Sequence, residues 1–363
     1  DLNLHLALGR FSRQQQELQR REQQAIVMRS LVVVTYLLQF CLLPIEALCE
    51  SEDEYVTDGR YAMGTILEVT VQKGAASALD AVFEEVDRIE SELSSYKENS
   101  QLSILNRLAG NPAVMVSDTL VEVLELAKYY SDSTDGAFDV SIGPLTRLWK
   151  ESFQSDSVPS NIAMNNALSM VGMSKVKIVG NSVLLPTGMA LDLGGIGKGY
   201  ALDKVERLLA RKSIEHALIS FGESSTLALG SPRDSEAWSL LVRGLGQEFI
   251  GRISLSDQAL SVSRSLGKVT EIQGRRFGHI FDPATGTPVN REALAIVVSK
   301  TSTEAEVWST ALLVLGVDKG LGLVEKVKGT EAFIASRTGS EGALVVRMST
   351  GFSKTVDLIY SSN

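Results

Sequence analysis

What most constrains the fold is a rhythm that the chain lacks. From about Tyr61 its hydrophobic pattern switches between periods of 2 and 3.6, yet strands and helices never alternate as regular strand–helix–strand units. Residues 65–71 read as a strand, with Leu67, Val69 and Val71 alternating against Glu68 and Thr70. Residues 75–95 then read as an amphipathic helix, with Val82, Phe83, Val86, Ile89 and Leu93 on one stripe. Ser117 is placed to cap a second helix to about Tyr130, and further helices are expected over 197–211 and 304–315. A hairpin is predicted from 176–179 to 182–185 around Gly180-Asn181. Later strands are expected at 217–221, 238–242, 253–255, 259–263, 294–298, 332–336 and 343–348. This mixture predicts an α+β fold of helices and antiparallel sheets in one unit, residues 58–363. The only two cysteines, Cys41 and Cys49, precede that unit, so packing must hold it rather than disulfides or zinc.

The N-terminal region reads differently. Residues 1–27 are rich in Gln and Arg and are assigned no fold, being expected as an upstream or unstructured leader. Met28 and Arg29 precede an apolar run from Leu31 to Leu43, followed by the small-residue step at Ala47. That order is an export signal over 28–49, and the run is shorter than the roughly 20 residues of a bilayer span. The mature chain is therefore expected to begin near residues 48–50, without a stable membrane span, in the periplasm or outside the cell, with a short membrane anchor and inner-membrane association as the alternative. A bulky Leu48 before Cys49 argues against lipoprotein processing. A net charge of −9 excludes a general nucleic-acid binder, which needs a basic face.

Three constellations carry chemistry. Residues 192–200, Asp-Leu-Gly-Gly-Ile-Gly-Lys-Gly-Tyr, place four glycines and Lys198 at the start of a predicted helix. Glycines let backbone N–H groups approach an anion, and a helix N-terminus favours negative charge. The same spacing also serves a plain turn that packs a helix on a sheet. Residues 279–286, His-Ile-Phe-Asp-Pro-Ala-Thr-Gly, put His279 beside a carboxylate turn at Asp282, where it can act as an acid or base or be merely structural. Glu306 and Thr310 lie four apart on one helical face and offer two hard oxygens suited to Mg²⁺. Taken alone, a surface Glu and a half-buried Thr would look the same.

In this order the motifs resemble the ApbE family, the FAD:protein FMN transferases. Met63-Gly-Thr65, Leu93-Ser-Ser-Tyr96, Ser100, Asn106, Gly136-Ala-Phe-Asp139 and Gly143-Pro-Leu145 come first. The glycine turn, the His279 motif and the Glu306/Thr310 helix follow, so the resemblance spans about residues 60–350. It implies a T-fold-related catalytic unit, with Met63, Tyr96, Ala137, Phe138, Asp139, Asp192, Lys198 and Ile280 lining an FAD pocket. It further implies Mg²⁺ held by the Gly195 carbonyl, Glu306 and Thr310, with Ser309 where some members have another ligand. His279 matches a histidine that assists transfer.

The implied reaction moves FMN from FAD to a threonine of an acceptor flavoprotein carrying a Ser/Thr-containing motif, releasing AMP. His279 or Asp282 would take the threonine proton. Two departures stand out. Glu306 replaces the shorter Asp usual in the family, and Ser220-Phe-Gly-Glu-Ser-Ser225 replaces a Gly-Gly-Asp-like turn. An Mg²⁺-dependent FAD pyrophosphatase and a non-catalytic flavin carrier are the alternatives.

Overall fold

The alternation at Leu67, Val69 and Val71 becomes β2 (Thr65–Gln72), with all three side chains fully buried. It pairs with β1 (Tyr55–Ala62) through a two-residue turn at Met63 and Gly64. Both turn residues have positive φ, 48° and 81°, the geometry that a twisted two-residue hairpin demands. The computed structural model describes residues 55–246, 248–337, 342–354 and 356–358. They fall within one compact unit, Tyr55–Asn363. The leader at 1–27 and the export segment at 28–49 lie outside the described residues.

Among the described residues the main sheet has eight strands, and their spatial order is their chain order. After β1 and β2 come β3 (Ala217–Phe221), β4 (Ser225–Leu229), β5 (Gln258–Arg264), β6 (Glu292–Ser299), β7 (Glu331–Arg337) and β8 (Leu344–Met348). Every neighbouring pair is antiparallel.

The helices are α1 (Leu79–Leu93), α2 (Gln101–Arg107), α3 (Asp118–Ser133), α4 (Gly143–Ser155), α5 (Asn161–Ser169), α6 (Gly197–Arg211), α7 (Ser302–Leu315) and α8 (Val317–Val324). All but α4 and α5 contribute to the core on one face of the sheet, while Trp149 of α4 and Met164 of α5 pack with Ile272 and Phe281 in a separate cluster. A small sheet of Trp238–Arg243, Phe249–Leu255 and Val356–Leu358 covers the other face. β6 shows why the sequence demands both layers. Its Ala293, Ala295 and Val297 join the helix-side core, while Leu294, Ile296 and Val298 pack with Trp238, Ile253 and Leu255. A strand apolar on both faces must be sandwiched.

α7 is buried nearly all round, from Ser302 to Leu313, because it lies between α6 and the strands β5 and β6. α6 can approach it only at a glycine. A Cβ on Gly199 would stand 2.4 Å from the Ser302 carbonyl oxygen and 2.8 Å from the Thr303 Cα.

The predicted hairpin forms as Lys177–Val179 and Ser182–Leu184, with Gly180 at φ 54°. The helix expected over 75–95 begins instead as a 3₁₀ turn, Lys73–Ala78, before α1. β1, β4, α2, α4, α5, α8 and the hairpin of Val269–Ile272 with Arg275–Gly278 are additions to the expected elements. Among the described residues no helix is long and apolar enough to cross a membrane.

Candidate functional site

The glycine turn is held at its entry by long-range hydrogen bonds. Asn106 accepts from the Leu191 N–H at 2.8 Å and donates to the Leu191 carbonyl at 2.9 Å. The Asp192 N–H donates to the Val140 carbonyl at 2.7 Å. The Asp192 side chain then accepts from the Gly194 N–H at 3.0 Å and from Thr146 Oγ1 at 3.2 Å. The turn leads directly into α6, so its N–H groups and Lys198 share one helix N-terminus. Three expected site residues press on it. A Cβ at Gly195 would meet the Phe138 ring at 3.1 Å and Thr310 Oγ1 at 3.7 Å, and one at Gly197 would meet Met63 Cε at 3.3 Å.

Glu306 is 3% exposed, and both carboxylate oxygens are partnered. Lys198 Nζ pairs with Oε1, and the Gly199 N–H donates to Oε2 at 2.6 Å. The glycine turn and α7, over a hundred residues apart in the chain, therefore meet at one carboxylate. Ser309 faces the sheet: its Oγ lies 2.9 Å from Ser261 Oγ and 2.8 Å from Ser263 Oγ, and it donates to the Glu306 carbonyl at 2.9 Å. These bonds engage the hydroxyl beneath the helix and fix the rotation that aims Glu306 at α6.

The start of α7 is fixed from two sides. Thr301 caps it by accepting from the Glu304 N–H. Asp203 on α6 accepts from the Ser302 N–H at 2.6 Å, the Thr303 N–H at 3.1 Å and Thr303 Oγ1 at 2.5 Å. Burial nevertheless holds the Asp203 carboxyl above its ordinary pKa, against the pull of those hydrogen bonds.

The His279 motif is a tight turn. Asp282 accepts from the Ala284 N–H at 2.9 Å through its side chain and from the Gly286 N–H at 2.8 Å through its carbonyl. Trp149 Nε1 on α4 donates to the Gly286 carbonyl at 2.8 Å and anchors the turn. Ile280 packs against the helix-side core. His279 keeps an exposed edge, yet its ring lies in crowded surroundings, with Gly267 close beside it. Desolvation holds its pKa below 6.5, and the charges of Lys268 and Lys198 push the same way. A hydrogen bond to the Lys268 backbone opposes them without reversing the direction. The direction favours the neutral imidazole, the form able to accept a proton.

The remaining expected residues divide. Ala137 and Phe138 are buried at the turn between α3 and α4. The neighbouring Asp139 is committed locally. It accepts from the Ser141 N–H at 2.8 Å, Ser141 Oγ at 2.5 Å, the Met173 N–H at 3.0 Å and Ser131 Oγ at 3.3 Å. Tyr96 is 92% exposed on the loop after α1, free of the core. Glu90, which the sequence did not single out, links that loop to the Met63 turn. It accepts from the Met63 N–H at 3.1 Å and from Lys97 Nζ at 2.9 Å. The divergent segment from Ser220 is the β3–β4 turn, where Gly222 has φ 56° and Glu223 pairs with Arg243 at 3.1 Å.

A glycine turn that carries Lys198 into a helix N-terminus, with Glu306 and Thr310 alongside, is an arrangement suited to phosphate-bearing groups. The chain belongs to the ApbE family, which it matches over residues 63–334. It is similar to the FAD:protein FMN transferase of Treponema pallidum, 31% identical over 294 residues that cover 74% of this chain and 81% of that protein. It is also similar to one from Klebsiella pneumoniae, 30% identical over 263 residues covering 70% and 81%. The crystal structure of the ApbE protein from Thermotoga maritima is similar at a TM-score of 0.75 and 26% identity, covering 83% of this chain and 99% of that one.

Proposed function

We propose that this protein is a FAD:protein FMN transferase that moves FMN from FAD to a threonine hydroxyl of an exported or membrane-associated flavoprotein and releases AMP. The observation that carries the reading is the meeting of Lys198, Glu306, Gly195 and Thr310 at the N-terminus of α6, in a chain of the ApbE family. The acceptor oxygen attacks the FMN-side phosphorus, a new O–P bond forms, and the pyrophosphate P–O bond to AMP breaks. The hydroxyl proton goes to neutral His279, or to Asp282 at the same turn. Lys198 and the turn N–H groups face the charge that gathers on the phosphate oxygens, and a preorganised donor of this kind contributes on the order of 3 kcal/mol.

The residues present suit Mg²⁺. Glu306, Thr310 Oγ1 and the Gly195 carbonyl are hard oxygens, and Thr310 lies beside Gly195. Among the described residues no cluster of three or more His, Cys, Asp or Glu is placed to hold a metal. A sparse oxygen set of this kind leaves the other octahedral positions to water and phosphate, as Mg²⁺ prefers. Bound there, Mg²⁺ would supply charge neutralisation and orientation of the pyrophosphate. The apolar run before residue 48 supports export to the periplasm or beyond.

The test is AMP release and protein-bound flavin fluorescence, measured against Mg²⁺ concentration with FAD and an acceptor protein. Glu306→Gln is expected to abolish Mg²⁺-dependent cleavage while retaining FAD binding, and Glu306→Asp to keep or raise activity. Identical, metal-independent curves for all three proteins would defeat this mechanism. Free FMN released without protein labelling would identify a pyrophosphatase instead.

A further inference from the structure

We propose that Lys198 is a transferable counter-charge. It neutralises Glu306 until a divalent cation takes that carboxylate, and is then released toward the FAD pyrophosphate. The idea rests on the metal-assisted reading above and adds a coupling between metal and flavin that runs through one side chain.

Three observations support it. The Glu306 side chain is 4% exposed, so its charge needs a partner at all times, and Lys198 is the cation that pairs with it. The second oxygen is held independently by the Gly199 N–H at 2.6 Å. A carboxylate has about four acceptor positions, so that bond can persist while the other oxygen changes partner. Lastly, the Lys198 side chain is 20% exposed, so the ammonium is not enclosed with the carboxylate it pairs with. A lysine is a compact charge on a flexible stem, suited to swinging from one anion to another. Two cations on one buried carboxylate repel, so occupation of Glu306 by a dication favours release of the ammonium. The vacating charge and the incoming pyrophosphate then meet at the same helix N-terminus.

The test separates charge competition from simple scaffolding. Mn²⁺ binding to the whole protein is measured by electron paramagnetic resonance for wild type, Lys198→Gln and Lys198→Arg, with folding checked by circular dichroism. Lys198→Gln keeps a donor but removes the competing charge, and is expected to bind Mn²⁺ on the order of tenfold more tightly. Lys198→Arg holds the carboxylate with a planar fork and is expected to bind Mn²⁺ several-fold more weakly than wild type. FAD titrations then read the transfer. The FAD-binding deficit of Lys198→Gln should appear with Mn²⁺ present and vanish without it.

A Lys198→Gln protein that binds Mn²⁺ no more tightly than wild type overturns the proposal. So does an FAD deficit of equal size with and without metal. Should Lys198→Gln not fold, an unchanged or tighter Mn²⁺ affinity in Lys198→Arg is sufficient to reject it. If wild type binds neither Mn²⁺ nor FAD, the functional reading fails as well. If wild type binds both and only the Lys198 effects are missing, the counter-charge idea alone is wrong.

Discussion

Gly199→Ala tests the junction on which the whole site depends. The added Cβ would stand 2.4 Å from the Ser302 carbonyl oxygen, 2.7 Å from its carbon and 2.8 Å from the Thr303 Cα. All three are backbone atoms, so α6 or the start of α7 must move. Overpacking of this kind costs about 1–3 kcal/mol, and the better helix propensity of alanine returns up to about 1. A net loss of up to about 2 kcal/mol is expected, together with weaker Mn²⁺ binding, because the Gly199 N–H that holds Glu306 shifts. Gly322 in α8 is the control: it also lies inside a helix, but a Cβ there has nothing within 4 Å. Gly322→Ala should therefore stabilise by about 0.5–1 kcal/mol. Urea unfolding of both variants reads the two signs from the midpoint at constant slope. A Gly199→Ala protein as stable as Gly322→Ala would refute the close helix contact.

Four further outcomes are expected. Asp203→Ala removes the acceptor for three donors at the head of α7, and should cost about 2–4 kcal/mol in urea unfolding after the relief of burying a carboxylate. Because the His279 pKa is depressed, the acid limb of AMP release should lie below pH 6.5, and His279→Gln should remove that limb. The unfolded chain takes up that proton first. Stability contributed by neutral His279 is therefore present above pH 6.5 and lost as pH falls through the folded value, a loss that His279→Gln should escape. N-terminal sequencing of protein from its native host should find a start near residues 48–50, and recovery of residues 1–27 on cytoplasmic protein would sink the export reading.

Local pattern made much of this structure legible, and distance in the chain hid the rest. The helix at 197–211 and the strand at 217–221 appear with the expected bounds, because apolar period and glycine punctuation fix them locally. β1 escaped notice because it is an edge strand whose outward positions are mostly exposed, which leaves no alternation to read. In the sequence α4 shows only as a Gly-Pro-Leu motif, though Pro144 at its first turn is a standard helix start. In the site, Lys198 and Glu306 were each visible as candidates, but nothing periodic links them. The same holds for Asp203 with Ser302, Asn106 with Leu191, and Ser261 with Ser309, contacts that only the tertiary fold creates. Glu90 carries no local signal within the helix pattern, while in the structure its carboxylate holds the Met63 turn.

The coincidence of spatial and chain order in the main sheet has a consequence for how such a protein can change. No connection has to cross another strand, so each segment between neighbours can lengthen or diversify without rethreading the scaffold. The candidate site residues sit in those excursions: residues 73–216 carry the glycine turn, 265–291 the histidine turn, and 300–330 the carboxylate helix. Closing the longest one costs only about 4 kcal/mol more than closing a two-residue hairpin, at about 0.6 kcal/mol for each doubling of loop length. Selection can thus rewrite acceptor choice in one insertion while the strand register stays constant. The limit is that two insertions must still converge on one buried carboxylate, so a lengthened segment that shifts Gly199 relative to Ser302 forfeits the site even when the sheet is unharmed.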